Sequence, residues 1–322
     1  MSHASIRRRT FLKGAGATAL ATTGVIRVRE GGAQEAVPNS TGTEAPKLKA
    51  PANTADCHIH IYDPRFPPGG PTARLMTQAR VAEYRLLQRR IGTTRTVVVT
   101  PSAYGTGNQV TVDAIAQLGP TTARGVAVVL PTISDTELKT LHDGGIRGIR
   151  FTLFDPKTAV TTIDMIEPLS RRVNDLGWHV QIHLRGDQIV EAADLLQRLP
   201  SPLVFDHMGR LPQPAGADHP AFQILRRLID KGRTWVKLSG VYQDSKVGPP
   251  GYADTTRVAQ AYIKAAPQRM VWGSDWPHPT EKEKPNDAVL FDLLAEWAPD
   301  EPTRHRILVE NPETLYGFPK SS

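Results

Sequence analysis

From Ala55 onward, short apolar runs alternate with longer segments of helical periodicity over about 260 residues. This repeat is typical of parallel strands joined by crossover helices. We therefore predict an α/β fold of the (β/α)8 TIM-barrel type. A doubly wound sheet is the weaker alternative, because no Gly-x-Gly-x-x-Gly string follows the first run. The predicted strands are residues 56–61, 96–100, 125–130, 148–153, 179–184, 203–207, 235–238 and 269–273, and the candidate helices include 81–91, 166–176, 189–197, 221–231, 256–266 and 288–297.

The N-terminal segment has the layout of an export signal. Arg8-Arg9-x-Phe11-Leu12-Lys13 precedes the weakly apolar, uncharged residues 14–26, a pattern that resembles a twin-arginine signal. The alternative is an ordinary basic helix, and the apolar stretch is too short for a strong membrane span. We predict a signal at 1–36, a linker at 37–54 and a barrel domain at 55–319, with export by the twin-arginine machinery to the periplasm.

The charge of the chain gives no sign of a nucleic-acid partner. Of the formal net charge of +7, +4 lies in residues 1–36, and the remainder shows no basic stripe with interleaved aromatic residues. Cys57 is the only cysteine, so no internal disulfide can form, as suits a protein that folds before export. We interpret Cys57 as a small core residue rather than a nucleophile.

Polar side chains stand where the predicted strands end. His58 and His60 are two residues apart on the first strand and so share a face. His183 ends the fifth strand, His207 ends the sixth, and Asp275 follows the eighth. Since the C-terminal ends of barrel strands form the active site in this fold, these groups predict one catalytic centre.

The same residues carry a resemblance. His58-x-His60, the strand-five histidine, Asp-His207-Met-Gly-Arg and Gly-Ser-Asp275-Trp-Pro-His resemble the amidohydrolase-related branch of the amidohydrolase superfamily. The strings at 101–108, 145–151 and 237–242 are similar to its lactonases that act on 2-pyrone-4,6-dicarboxylate, on sulfomuconolactone or on sugar lactones. The resemblance covers about residues 55–318 and implies an enzyme that hydrolyses a carboxylic ester bond in a lactone.

The resemblance leaves the metal content open. His58, His60, His183 and Asp275 would supply the ligands of one divalent ion, with zinc the best match to imidazole and carboxylate donors. The 2-pyrone-4,6-dicarboxylate lactonases, by resemblance, are metal-free and carry tyrosine where this chain has His183, so the departure favours a metal. A binuclear site is not expected, because arginines occupy the strand-four region. A metal-free site with polarising histidines is the alternative.

Opening a lactone requires an activated water, a partner for the carbonyl oxygen and a proton for the leaving alkoxide. Asp275 is the predicted general base and acid, and His207 is the predicted oxyanion partner.

An anionic or polyhydroxylated small molecule is the predicted substrate. Arginine suits bidentate binding of a carboxylate, and Arg150 should face the pocket while Arg147, an odd number of residues away, faces outward. A loop at 240–251, with Tyr242 and Lys246, could lie over the rim. The predicted substrate-binding residues are Arg150, Ser102, Tyr104, Asn108, Arg124 and Arg210.

Three other functions compete with lactone hydrolysis. A lactone isomerase would use the same polarised carbonyl with a substrate hydroxyl as nucleophile. A metal-dependent decarboxylase of the superfamily shares the histidine and aspartate ligands. A binding protein on a degenerate barrel would not need Asp275.

Overall fold

The computed structural model describes residues 35–71 and 75–320. Apart from residues 35 and 36, the predicted signal segment lies outside the described residues, and export stays a prediction. In the part of the chain that is described, no helix is both long enough and apolar enough to cross a membrane.

The predicted strands are confirmed as a barrel. In the described residues, eight strands pair in parallel and in chain order, β1 with β2 through to β7 with β8. The observed strands begin and end within about three residues of the predicted ones, an ordinary uncertainty for element boundaries. They are β1 Ala55–Ile59, β2 Arg95–Val99, β3 Ala123–Ala127, β4 Ile146–Thr152, β5 His179–His183, β6 Leu203–Phe205, β7 Thr234–Leu238 and β8 Met270–Trp272.

Helices cover the outside of the barrel, and most of them bury one face, whereas Glu301–His305 has no buried residue. The predicted helix at 189–197 is interrupted at Ala192, which divides it into two short helices. The helices are α1 Val81–Ile91, α2 Gln109–Leu118, α3 Asp135–Asp143, α4 Ile166–Asn174, α5 Gly186–Glu191, α6 Ala193–Arg198, α7 Pro220–Asp230, α8 Ala253–Ala265, α9 Asp287–Trp297, α10 Glu301–His305 and α11 Asn311–Tyr316, with a π-helical turn at Arg306–Glu310.

The last strand meets the first just beyond β8. The backbone N–H of His60 donates to the carbonyl of Trp276 at 2.8 Å, and that of Asp275 donates to the carbonyl of His58 at 2.8 Å. A Cβ atom on Gly273 would stand 2.7 Å from the Cβ of His58, so only glycine permits this close approach. The closure brings the two ends of the domain, and their polar side chains, together.

Residues 37–54 differ from the free linker that their composition suggests. They form no helix or strand, but they pack on the barrel within the same compact unit. Trp276 donates its indole N–H to the carbonyl of Pro38 at 2.8 Å, and Arg90 donates to the carbonyls of Thr41 and Glu44. Contacts made through backbone carbonyls leave no periodic pattern, which explains why the sequence did not reveal them.

The C-terminal segment packs against the N-terminal ends of the strands. Tyr316 and Phe318 join a buried cluster with Val97 of β2 and Val271 of β8. The polar rim at the other end of the barrel is therefore the open end.

Candidate active site

A β-bulge directs the histidines of β1 into the barrel mouth. The pairing of β1 with β2 shifts register between Asp56 and Ile59, and bulges of this kind re-aim side chains near active sites. Cys57 packs in a buried apolar cluster with the valines of β2, which confirms its core role. His58 and His60 follow it and are almost wholly buried at the strand's C-terminal end.

Asp275 brings its carboxylate to these histidines from the loop after β8. Its φ of 65° lies in the left-handed region, which costs a non-glycine residue energy and often marks a functional position. Its Oδ1 atom lies 3.6 Å from Nε2 of His58, 3.6 Å from Nε2 of His60 and 3.9 Å from Nε2 of His207. Three imidazole nitrogens therefore converge on one carboxylate oxygen.

Hydrogen bonds leave two arrangements of protons in this cluster. Nδ1 of His60 lies 2.8 Å from the carbonyl of Val99, and since a carbonyl only accepts, Nε2 of the neutral ring is bare. This atom lies 3.3 Å from Nε2 of His58, so a proton or a cation must separate them. Nδ1 of His58 has Asp206 Oδ1 at 3.2 Å and Lys237 Nζ at 3.3 Å. When Nδ1 of His58 carries the proton and donates to Asp206, Nε2 of His58 is free to bind a cation. When Nδ1 instead accepts from Lys237, Nε2 of His58 carries the proton and donates to Nε2 of His60.

The donor set fits one divalent ion. Ligand atoms of His58, His207 and Asp275 all lie within 4.8 Å of one another. A tetrahedral zinc ion with bonds of about 2.0–2.1 Å sets its nitrogen ligands about 3.3–3.4 Å apart, close to the separation between His58 and His60. Burial lowers the pKa of His60 to about 3 and holds the pKa values of His58 and His207 well below the usual range. Neutral rings of this kind offer lone pairs to a metal.

His183 takes a different position from the predicted one. Its Nδ1 lies 3.1 Å from a guanidinium nitrogen of Arg150, and its Nε2 lies 3.2 Å from one of Arg210. His183 also belongs to a second group of possible ligand atoms, with Asp206 and His207. However, Asp206 already forms an ion pair with Arg150 at 2.9 Å. The third histidine beside Asp275, with His58 and His60, is thus His207 rather than His183.

A buried ionic network forms the floor beneath the histidines. Asp206 accepts from Nε of Arg150 at 2.9 Å and from the amide of Gln181 at 3.1 Å, while Lys237 donates to Gln181 at 2.8 Å. Burial raises the pKa of Asp206, but Arg150, His58 and Lys237 outweigh it and hold that pKa well below its usual value. Burial lowers the pKa of Lys237 to about 8.

Three residues of this floor, Gln181, Asp206 and Lys237, have no predicted role. Gln181 precedes His183 by two residues, so it faces the same side of β5, and Lys237 interrupts an apolar strand. A lysine in a buried strand is rarely left unpaired, which was the available signal for Lys237. Asp206 stood in the quoted Asp-His-Met-Gly-Arg string without being given a function.

The second oxygen of Asp275 is held from the rim. Tyr242 donates its hydroxyl to Oδ2 at 2.7 Å, and Gln243 donates its side-chain amide at 3.0 Å. Burial raises the pKa of Asp275 to about 6, despite the opposing effects of His278 and Tyr242. A carboxylate in this range can both take and return a proton near neutral pH.

Three of the predicted substrate-binding residues are engaged elsewhere. Tyr104 exchanges two hydrogen bonds with the backbone of Asp63, and Asn108 pairs with the backbone of Val128. Arg124, the second residue of β3, bonds the carbonyl of Gly317 at 2.8 Å and lies at the opposite end of the barrel. The prediction that Arg124 stands at the rim is wrong, because it begins its strand rather than ending it.

Arg150 and Ser102 do line a cavity of about 280 Å³ at the barrel mouth. Arg147 faces outward as predicted, with its guanidinium on the carbonyl of His142 at 2.8 Å. Arg210 reaches the site through His183 and is fixed by Asp244, which accepts from its Nε at 2.7 Å. The cavity is lined by His60, Tyr62, Met76, Pro101, Ser102, Arg150, Thr152, Phe154, Asp155, Thr158, His183, His207, Gln243, Asp275, Pro279 and Thr280.

Comparison with protein families places this barrel among known enzymes. The model of the amidohydrolase family matches residues 55–318, nearly the whole barrel. The chain is 34% identical over 282 residues to a 2-pyrone-4,6-dicarboxylate hydrolase of Comamonas testosteroni, covering 84% of this chain and 92% of the relative. It is 32% identical over 287 residues to a D-galactarolactone isomerase of Agrobacterium fabrum, covering 88% of this chain and 97% of the relative.

A solved structure shares the architecture. It is that of a probable 2-pyrone-4,6-dicarboxylic acid hydrolase from Acinetobacter baumannii with citric acid bound, at 29% identity and a TM-score of 0.71. The match covers 83% of this chain and all of the other.

Proposed function

The chain belongs to the amidohydrolase family, and from this membership we propose that it opens the ring of a carboxylated or polyhydroxylated lactone with Asp275 as general base. Relatives that hydrolyse or isomerise lactones support a hydrolase acting on cyclic esters. The single observation that carries the proposal is the convergence of three imidazole nitrogens on Oδ1 of Asp275 in a cavity that Arg150 also lines.

In the proposed reaction Asp275 acts in both directions. Its Oδ1 takes a proton from the attacking water, and the carboxyl group later returns a proton to the departing alkoxide. In the metal-free alternative, His207, whose Nδ1 lies 2.9 Å from the hydroxyl of Ser239, directs Nε2 towards the cluster and stabilises charge on the carbonyl oxygen. Ser239 fixes the orientation of that ring.

His58, His60, His207 and Asp275 are the residues that would hold a divalent ion. Bound there, the ion would act as a Lewis acid towards the substrate carbonyl. Asp206, beside Nδ1 of His58, would orient that ligand as carboxylates do for metal-bound histidines.

Metal content is open to direct measurement. Elemental analysis of the purified protein is expected to show about one equivalent of zinc, because the two groups of possible ligands share His207 and only one of them can be filled at a time. His60→Asn should lose most of it, while the exposed His305→Asn should keep it. An active protein that contains no metal would instead assign the histidines to direct hydrogen bonding with the substrate.

The contacts of His183 support an anionic substrate group. Its two nitrogens face Arg150 and Arg210, both of which only donate, and a neutral imidazole can accept at one nitrogen alone. At one of the two contacts, an N–H of His183 therefore faces an N–H of the arginine. A carboxylate placed between them would accept a hydrogen bond from both. The Acinetobacter relative was solved with citric acid, a carboxylated small molecule, bound.

A panel of matched lactones tests the substrate class. We expect kcat/KM for a carboxylated lactone to exceed that for its uncharged analogue by about 100-fold or more, since the arginines would otherwise be left unpaired. Arg210→Gln should abolish most of this preference, and Arg210→Lys should restore part of it because the charge is kept without the fork. Equal turnover of charged and uncharged lactones would exclude the carboxylate subsite.

The pH profile should report the protonation of Asp275. Its pKa is raised to about 6, and only the ionised form can accept a proton. For the metal-free site we therefore expect kcat/KM to fall as the pH drops through about 6 and to level off above it, measured with a lactone that does not itself titrate in that range. A rate that is constant between pH 5 and 7 would contradict Asp275 as base.

An isomerase is the second candidate, favoured by the galactarolactone relative. There, a hydroxyl of the substrate would replace water as the nucleophile and Asp275 would take its proton. The product then has the mass of the substrate, whereas hydrolysis adds one water.

A further inference from the structure

The two oxygens of Asp275 have different surroundings. Oδ1 faces the three histidine nitrogens, whereas Oδ2 accepts from Tyr242 at 2.7 Å and from Gln243 at 3.0 Å. Both donors come from the loop that follows β7, while Asp275 follows β8. Two hydrogen bonds at one oxygen fix the rotation of the carboxylate about its Cβ–Cγ bond and so direct the other oxygen.

A second contact lies behind Tyr242. The hydroxyl is 2.8 Å from Nδ1 of His278, and Nε2 of that ring is 3.2 Å from Oδ2 of Asp287. His278 and Asp287 are both wholly buried. His278 is the last residue of the Gly-Ser-Asp-Trp-Pro-His string, and it has no role in the proposed opening of the lactone.

The hydroxyl of Tyr242 has one proton and two candidate acceptors. Donation to Asp275 is possible when Nδ1–H of His278 donates to the tyrosine oxygen, which fills the remaining lone pair. Asp287 lies against the far nitrogen, keeps the ring in place and compensates a charge on it. Because a carboxylate only accepts, Asp287 requires an N–H at Nε2, and His278 donates at Nδ1 as well only when both ring nitrogens carry hydrogen. In that state the chain from Asp287 through His278 to Tyr242 directs the tyrosine hydrogen bond at the carboxylate of Asp275.

The backbone around Asp275 makes such a restraint useful. Asp275 and His278 both have positive φ, 65° and 53°, and the N–H of His278 donates to the carbonyl of Asp275 at 2.8 Å. A tight turn of this kind holds the main chain but leaves the carboxylate free to rotate. The side-chain contacts supply the missing constraint, and a reactive group misplaced by about 1 Å can lose about 100-fold in rate.

We propose that Tyr242, locked by His278 and Asp287, is a positioning residue that aims Oδ1 of Asp275 at the reacting water. This inference rests on the proposed role of Asp275 as general base. The tyrosine itself neither touches the reacting atoms nor exchanges a proton with them.

Kinetics of two variants and their combination test the coupling. Tyr242→Phe is expected to lower kcat about 10- to 100-fold with KM changed by less than about twofold, the usual range for residues that orient an active group. His278→Ala should do the same. The double variant should be no slower than the slower single one, because both changes remove one restraint. Effects that multiply would overturn the proposal.

Conservative replacement separates positioning from mere structure. His278→Asn places an amide N–H near the position of Nδ1, and we expect it to recover at least about half of the kcat lost in His278→Ala. Tyr252→Phe, on the same connection but away from the cavity, is the matched control and should keep wild-type kinetics. No rescue by asparagine would count against the proposal.

Crystal structures of the wild type and Tyr242→Phe give a readout that needs no substrate. We expect the carboxylate of Asp275 to rotate or to occupy more than one orientation in the variant, and an unchanged carboxylate would overturn the proposal. The two claims can fail separately. An active Asp275→Asn variant would exclude Asp275 as the base. An inactive Asp275→Asn variant together with a fully active Tyr242→Phe variant would exclude only the positioning role of Tyr242.

Discussion

Asp275→Asn is expected to lower kcat/KM for the preferred lactone by about 10³-fold, within the 10²- to 10⁴-fold contribution usual for a general base. The amide has the same shape and can still accept from Tyr242, but it cannot take a proton from water. Its NH2 group would also take the position of Oδ1, which faces the three histidine nitrogens. The measurement is steady-state hydrolysis at a pH above the raised pKa of Asp275.

Two controls make this result specific. Asp187→Asn removes an exposed carboxylate outside the cavity and should leave kcat/KM unchanged. Metal content of Asp275→Asn must be determined beside the rate, because the same carboxylate is a candidate ligand. A variant with undiminished turnover would exclude Asp275 as the base and assign proton transfer to another group.

Asp206→Asn is expected to lower the free energy of unfolding by about 3–5 kcal/mol, the cost of leaving buried charges without their partner. Arg150 contacts this carboxylate at 2.9 Å and Lys237 at 3.7 Å, and the side chains of Asp206 and Lys237 are wholly buried. Removing the negative charge leaves two cations in the barrel floor with no carboxylate beside them. Urea unfolding at pH 7 measures the effect.

A compensating variant tests the cause of the loss. Asp206→Asn combined with Lys237→Met removes one cation with the anion, and we expect it to recover about half of the lost stability. Arg198→Gln, which breaks only an exposed ion pair with Glu167, should change the free energy of unfolding by less than about 1 kcal/mol. A small loss in Asp206→Asn would show that the floor network contributes little to folding.

The strand and helix order could be predicted because it leaves a regular pattern. Apolar runs separated by segments of helical periodicity predicted all eight strands, and polar residues at their ends predicted the rim. His58 and His60 share the predicted face even though a bulge precedes them. The position of Asp275 followed from barrel closure, which joins the first strand to the last.

The finer geometry depended on where each side chain ends in space. His183 and His207 lie at the ends of neighbouring strands. Their spacing in the sequence does not indicate which ring turns towards Asp275 and which turns towards the arginines. Arg124 was misplaced even though the predicted strand at 125–130 already puts it at the N-terminal end, where the observed strand Ala123–Ala127 also begins. Lys237 was overlooked because it lies within an apolar strand.

Turnover in ¹⁸O-labelled water is the measurement that tests the central claim most directly. The wild-type protein is incubated with a carboxylated lactone, and the product is analysed by mass spectrometry. Attack by water on the ring carbonyl predicts a hydroxy acid that has gained one labelled water, with one ¹⁸O in the new carboxylate. A product of unchanged mass would instead identify an isomerase, and release of carbon dioxide would contradict lactone opening altogether.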